Sequence, residues 1–142
     1  MAEGDITLYN NVKEQFLLGT IDLSSDTMYV SLHGAGYTPD VEADVSWGDV
    51  SGTEIPVYSS YVAGGLGISG SAVSQNLTTG KWDALDVTWA SLNLSGTAPD
   101  YGIIRDNTAS DILFGYIELG VTVTNGGDYT LQWHANGILL AI

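Results

Sequence analysis

The spacing of apolar residues changes near Gly19. Leu8, Val12, Phe16 and Leu17 recur at intervals that place them on one side of a helix. The pattern predicts helix over residues 7–18, closed by Gly19 at the C-cap. Over residues 27–33 the period becomes two. Met28, Val30 and Leu32 face inward, and Thr27, Tyr29, Ser31 and His33 outward, as in a half-buried strand. Residues 34–53 are polar and too long for a hairpin loop, so they read as an ordered excursion over the surface.

Beyond that excursion, short apolar runs alternate with turn signals. Strands are predicted at 57–62, 71–77, 82–88, 91–94, 101–106, 112–119, 129–135 and 138–142. The expected spacers are Gly64-Gly65, Thr79-Gly80, residues 96–99, Asp106-Asn107 and residues 125–128. No second helical pattern is available as a crossover, which excludes βαβ units. The prediction is an all-β fold: an antiparallel β-sandwich or jelly roll with a short N-terminal helix or arm. Residues 1–142 form a single domain, with 1–19 as the arm and 20–142 as the sandwich.

Asn136-Gly137 between two apolar runs is a type I′ hairpin signal. It predicts Trp133 opposite Leu140 and Leu131 opposite Ile142, with Thr130, Gln132 and His134 on the other face. The apolar last strand is expected to pack within a sheet or against a partner.

Composition narrows the function. A chain of 142 residues suits one domain and can bury a core unaided. It has no cysteine, which removes disulfides and thiolate chemistry. Its 17 acidic and 3 basic residues give a net charge of −14, with the cations at Lys13, Lys81 and Arg105. Phosphate neutralisation supplies much of nucleic-acid affinity, so this balance opposes binding to DNA or RNA. It opposes anionic membrane surfaces for the same reason. No apolar run reaches transmembrane length. The start, MAEGDITLYN, lacks a basic n-region, so synthesis and folding in a cytoplasm are expected.

Candidate chemistry is sparse. His33 and His134 each stand on an outward strand face without a second histidine at short spacing, which argues against zinc. Asp40-x-Glu42-x-Asp44 presents oxygens that a Ca²⁺ ion would accept, but it lacks the glycine and distal glutamate of an EF-hand. A solvated acidic loop is the better reading, and Asp49 extends it. Asp83 and Asp86 flank a strand, and nothing marks them as a glycosidase pair. Gly67-Ile68-Ser69-Gly70 falls short of a nucleophile elbow. Gly64-Gly65-Leu66-Gly67 lacks the lysine and helix of a phosphate cradle and reads as a bulge or tight turn. Without a secretory signal, the sequons at Asn76 and Asn93 read as chance. No cofactor is expected and no enzymatic constellation emerges. Aromatic residues remain. Trp82 and Trp89 cannot both face one core at strict period two, so a bulge or an exposed ring is expected. Tyr37 and Trp47 in the excursion offer either core filling or an exposed platform for sugars or a protein.

The order of motifs carries a resemblance. Leu18-Gly-Thr-Ile-Asp-Leu23, Asp26-Thr-Met-Tyr-Val-Ser-Leu32 and Gly36-Tyr-Thr-Pro-Asp40 come first. Tyr61-Val-Ala-Gly-Gly65, Asp83-Ala-Leu-Asp-Val-Thr-Trp89, Tyr101-Gly-Ile-Ile-Arg-Asp106 and Leu131-Gln-Trp-His-Ala-Asn-Gly-Ile138 follow. The set resembles a family of small virion structural proteins of tailed bacteriophages. The resemblance implies a capsid decoration (cement) protein, made in the host bacterial cytoplasm. It would bind the major capsid protein on the outer capsid surface, stabilise the lattice and self-associate as a homodimer or homotrimer. A tail or fibre component, or a carbohydrate- or receptor-binding β-sandwich, is the alternative. The resemblance carries no catalytic residues and assigns no role to residues 41–54. With a docking arm in mind, Leu8, Tyr9, Val12 and Phe16 are expected to contact either a neighbouring subunit or their own sandwich.

Overall fold

The computed structural model describes residues 5–34, 36–56, 60–94, 98–120 and 125–141. Within them the chain runs β1 (Ile6–Leu8), α1 (Asn11–Leu18), β2 (Met28–His33) and α2 (Trp47–Val50), the last continuing into a 3-10 turn (Ser51–Thr53). Next come β3 (Leu66–Gly67), β4 (Ala72–Asn76), β5 (Thr79–Asp83) and β6 (Val87–Asn93). The chain then forms β7 (Tyr101–Asp106), β8 (Ile112–Glu118), β9 (Asn125–Leu131) and β10 (Leu139–Ala141). A five-stranded antiparallel sheet has the order β1-β8-β7-β2-β3, beside sheets β10-β5-β4 and β6-β9. The smaller sheets pack on the large one. Leu131 sits over Gly102, where an added methyl would meet its Cδ2 at 3.6 Å. Trp82 meets Phe114 edge-on at 5.1 Å. The protein is the all-β sandwich that the short strands predict.

The N-terminus is not a separable arm. Thr7 and Leu8, expected as helix, pair with Tyr116 and Gly115, and Ile6 before them with Ile117. Three residues are too few for a period to declare itself, and the partner strand decides. Glycine suits position 115, because a Cβ there would lie 2.9 Å from the Thr7 backbone oxygen of β1. The helix begins at Asn11, and Gly19, at φ 71°, closes it as predicted.

The second face of the large sheet is covered by the excursion, which corrects the outward assignment of β2. Ser31 and His33 are fully buried, like Met28, Val30 and Leu32. Acidic side chains order the excursion by capping its own backbone. Asp40 Oδ1 accepts from the Glu42 and Ala43 amides, and Asp49 Oδ2 from those of Val45 and Ser46. Asp44 Oδ2 accepts from the Asp40 amide and the Tyr37 hydroxyl. Tyr37 and Trp47 consequently face inward: Tyr37 packs edge-on to Tyr101, and Trp47 edge-on to His33.

Other boundaries move for local reasons. Residues 57–59 lie outside the described residues. Residues 60–62 lead into a turn rather than a strand, and Gly65 N–H donates to Val62 O. The expected strand 82–88 divides, because Thr79 and Gly80 are strand and Leu77-Thr78 make the turn. Trp82 and Trp89 are thus both buried, on strands of different sheets. Residues 125–128 are strand, paired with β6. Asn136-Gly137 does lie in a turn, with Gly137 N–H bonded to His134 O, but no β9–β10 hairpin follows. Leu140 pairs with Lys81 rather than facing Trp133, and Leu131 pairs with Val87. Asp86 is the reason: its carboxylate accepts the Trp133 amide at 3.0 Å, and the Trp133 ring donates to Leu85 O at 2.8 Å. These bonds hold Trp133 against the β5–β6 connection, and the turn delivers β10 to β5. Ile142 lies outside the described residues.

Arg105 holds several of these pieces at once. Its guanidinium lies 4.3 Å from the Trp47 ring centre and 5.1 Å from that of Tyr29. It donates to Gly64 O at 2.7 Å and Asp111 Oδ1 at 3.1 Å. Replacing Arg105 by alanine should cost about 2–4 kcal/mol, from lost cation–π contacts and an orphaned carbonyl. Lysine, which lacks the planar fork, should recover little of it. Urea midpoints of the two variants would check this; midpoints at the native value would contradict it.

Two buried groups titrate in opposite senses. Burial, aided by Arg105, holds the His33 imidazole down at about 3. Its stabilising contribution is complete above the unfolded value of 6.5 and is lost as pH falls toward about 3. Asp106 is also fully buried. Its Oδ1 accepts the Thr108 and Ala109 amides, whereas Oδ2 has no hydrogen-bond donor. Burial, with the neighbouring Asp26 carboxyl, pushes Asp106 up to about 6. The folded state therefore binds this proton more tightly than the unfolded state, and the contribution is lost as pH rises through about 6. Asp106→Asn should melt above the native protein at pH 7.5, by the equivalent of about 1–2 kcal/mol. The gap should narrow to about a third by pH 4.5 and close only below the unfolded value of 3.8, and calorimetric melts at pH 7.5 and 4.5 test it.

Candidate docking surface

One part of the surface is apolar in an otherwise acidic protein. A groove of about 240 Å³ runs between the end of α1, the chain around Leu23 and the β10-β5-β4 sheet. Phe16, Leu23, Val73, Trp82, Leu139 and Ala141 line it. A second recess of about 420 Å³ shares Phe16, Leu23 and Val73 and continues past Gly19 and Ile21. Beside them on α1, Leu17 is 90% exposed and Leu18 66%.

Local chemistry builds this surface. Gly19 ends α1 and turns the chain. Asp22 then makes a tight turn, accepting from the Ser24 amide and hydroxyl while its own amide donates to Asp26 Oδ2. A relay fixes that turn on the sheet: Trp82 Nε1–H donates to Ser71 Oγ at 2.6 Å, and Ser71 Oγ–H donates to Leu23 O at 2.9 Å. The groove is thereby preformed and offers burial to an apolar partner side chain. Full burial of one leucine is worth roughly 1.5–3 kcal/mol.

The four residues expected at a docking arm separate. Tyr9 and Val12 are fully buried in their own sandwich, and the Tyr9 hydroxyl bonds that of Tyr37 at 2.6 Å. Neither can meet a partner without unfolding the helix. Leu8 is partly buried against the core. Phe16 is 37% exposed, stands edge-on to Phe114 and lines the groove. Docking potential therefore passes from Tyr9 and Val12 to Phe16, Leu17 and Leu18. The stripe of Leu8, Val12, Phe16 and Leu17 does not separate these roles: spacing places Leu17 on the same side as Val12, yet Val12 is buried and Leu17 exposed.

Other candidates resolve into structure. The His33 ring joins Ser31 Oγ and Thr53 Oγ1, each at 2.9 Å. His134 lies at the surface, 3.7 Å from Asp5. Among the described residues, no three histidine or carboxylate side chains come together as metal ligands. Tyr37 and Trp47 form no exposed platform. A polar cleft of about 410 Å³ lies near Tyr37, lined also by Asp100, Tyr101 and Glu118.

Substituting serine for both Leu17 and Leu18 should leave the melting temperature within about 4 °C of native, since a surface change rarely exceeds about ±0.5 kcal/mol. Dye binding at the apolar surface should fall. A collapse in stability would mean that these leucines serve the fold rather than a partner. In comparisons with known proteins, no family model, no curated protein and no solved structure matches this chain.

Proposed function

We propose that this protein is a non-enzymatic assembly protein that works by docking its apolar groove onto other protein subunits. Together with the motif resemblance, this reads as a phage capsid decoration protein. It would seat on the major capsid protein at the outer capsid surface and stabilise the assembled lattice. The observation that carries the reading is the preformed groove beside the exposed Leu17 and Leu18. A net charge of −14 is compatible with the outside of a shell and opposes contact with packaged DNA. Preferential binding to the assembled lattice stabilises it by linkage.

The test uses particles of the encoding phage that lack this protein. Native protein should bind them in co-sedimentation and raise their disruption temperature. The Leu17→Ser/Leu18→Ser double variant should bind at least tenfold more weakly, equivalent to about 1.4 kcal/mol or more. Ala141→Asp, which charges the groove itself, should bind as weakly, and native-like binding by both variants would overturn the docking surface. Protein located on the tail instead of the capsid would favour the tail or fibre alternative. Glycan binding without capsid binding would favour the carbohydrate- or receptor-binding module.

A further inference from the structure

Among the described residues, the β4 strand ends its sheet with an open side, and it is an unguarded edge. Natural edge strands discourage pairing with charge, proline or bulges. The sequence of β4, Ala-Val-Ser-Gln-Asn, has neither charge nor proline, and its five-residue ladder with β5 runs without a register shift. The edges at β1, β3 and β10 are only two or three residues long. The β6-β9 pair is also open, but its ladder carries two register shifts, and the Asp128 carboxylate accepts the Ser91 amide there.

Charge points the same way. Residues 55–82 contain no Asp or Glu, although the chain has 17 acidic residues. For two copies at −14 each, β4 itself brings no carboxylate to the contact; Asp83 stands one strand in, opposite Ala72, and Asp22 shares a recess with Val73. Val73 is 54% exposed, and Ala72, Ser74 and Gln75 are exposed as well.

The hairpin sets the register. Asn76 and Thr79 close a two-residue turn, so they form a hydrogen-bonded pair. Alternation then directs Ser74 and Ala72 toward β5, and the amides and carbonyls of Val73 and Gln75 toward the open side. We propose that β4 pairs antiparallel with β4 of a second copy about a two-fold axis at Ser74, merging two three-stranded sheets into one of six strands. Val73 of each copy exchanges two backbone hydrogen bonds with Gln75 of the other, and the two Ser74 side chains meet at the axis. Such an interface is self-complementary and closes at two copies. Because it concerns the free protein, it stands or falls independently of capsid docking.

Sedimentation velocity in 0.15 M salt should show a dimer that dissociates on dilution, more readily at low ionic strength. Ser74→Asp, which sets two carboxylates face to face, should weaken it at least tenfold while leaving the melting temperature near native. Val73→Pro removes an amide directed away from β5 and should do the same. In a chain without cysteine, Ser74→Cys should cross-link two copies under mild oxidation. Thr88→Cys, on the exposed face of β6, should not. A monomer at every concentration with no Ser74→Cys cross-link would overturn the proposal. So would a trimer, or a dimer indifferent to both Ser74→Asp and Val73→Pro.

Discussion

The guanidinium of Arg105 is where otherwise separate parts of the chain meet. It belongs to β7, near the centre of the large sheet, and lies almost wholly buried. Trp47 comes to it from the excursion, Gly64 from the turn before β3, Asp111 from the turn before β8, and Tyr29 from β2. A buried cation is costly unless its donors and its charge are matched. Here two ring faces, a carbonyl and a carboxylate supply the match. These partners lie far apart in sequence, so satisfying one side chain also determines how the loops cover the sheet.

Much of the second face follows from that cover. Glu54 continues it, accepting from the Tyr61 hydroxyl and the Gly64 amide, each at 2.7 Å. The Tyr61 hydroxyl in turn accepts the Leu32 amide at 3.0 Å, beyond the end of the short strand β3. Gly65 presses so closely on β2 that a Cβ would lie 1.9 Å from Val30 O, and its φ of 82° also favours glycine. The loops therefore act as a third layer, and β2 is buried on both sides because of them.

Asp22, Asp40, Asp44, Asp49 and Asp106 cap turns, and His33 is held between Ser31 and Thr53. What the molecule presents is surface: an apolar groove at the end of α1 and an uncharged strand edge beside it. Both involve Val73, so a partner in the groove and a second copy on β4 would lie next to one another. That adjacency would suit the proposed role, in which many modest contacts act together on a lattice.

The sequence by itself determined the class of fold. Period-two runs, closely spaced turn signals and the lack of a second helical pattern required an antiparallel β protein. The strand at 101–106, the Gly19 cap and the tight Gly64-Gly65 turn were legible because each depends on local backbone preference. Partnership was not legible. Asn136-Gly137 announced a hairpin, but Asp86 and Leu85 hold Trp133 and send β10 to β5. His33 looked outward until the excursion folded over it, and Arg105 looked like one of three scattered cations. The candidate docking residues shifted toward the end of α1 for the same reason: a helical stripe shows which residues are apolar, but only the packed sheet shows which of them it covers. Local chemistry chose the elements; competition among distant backbone and side-chain groups for the same partners chose their arrangement.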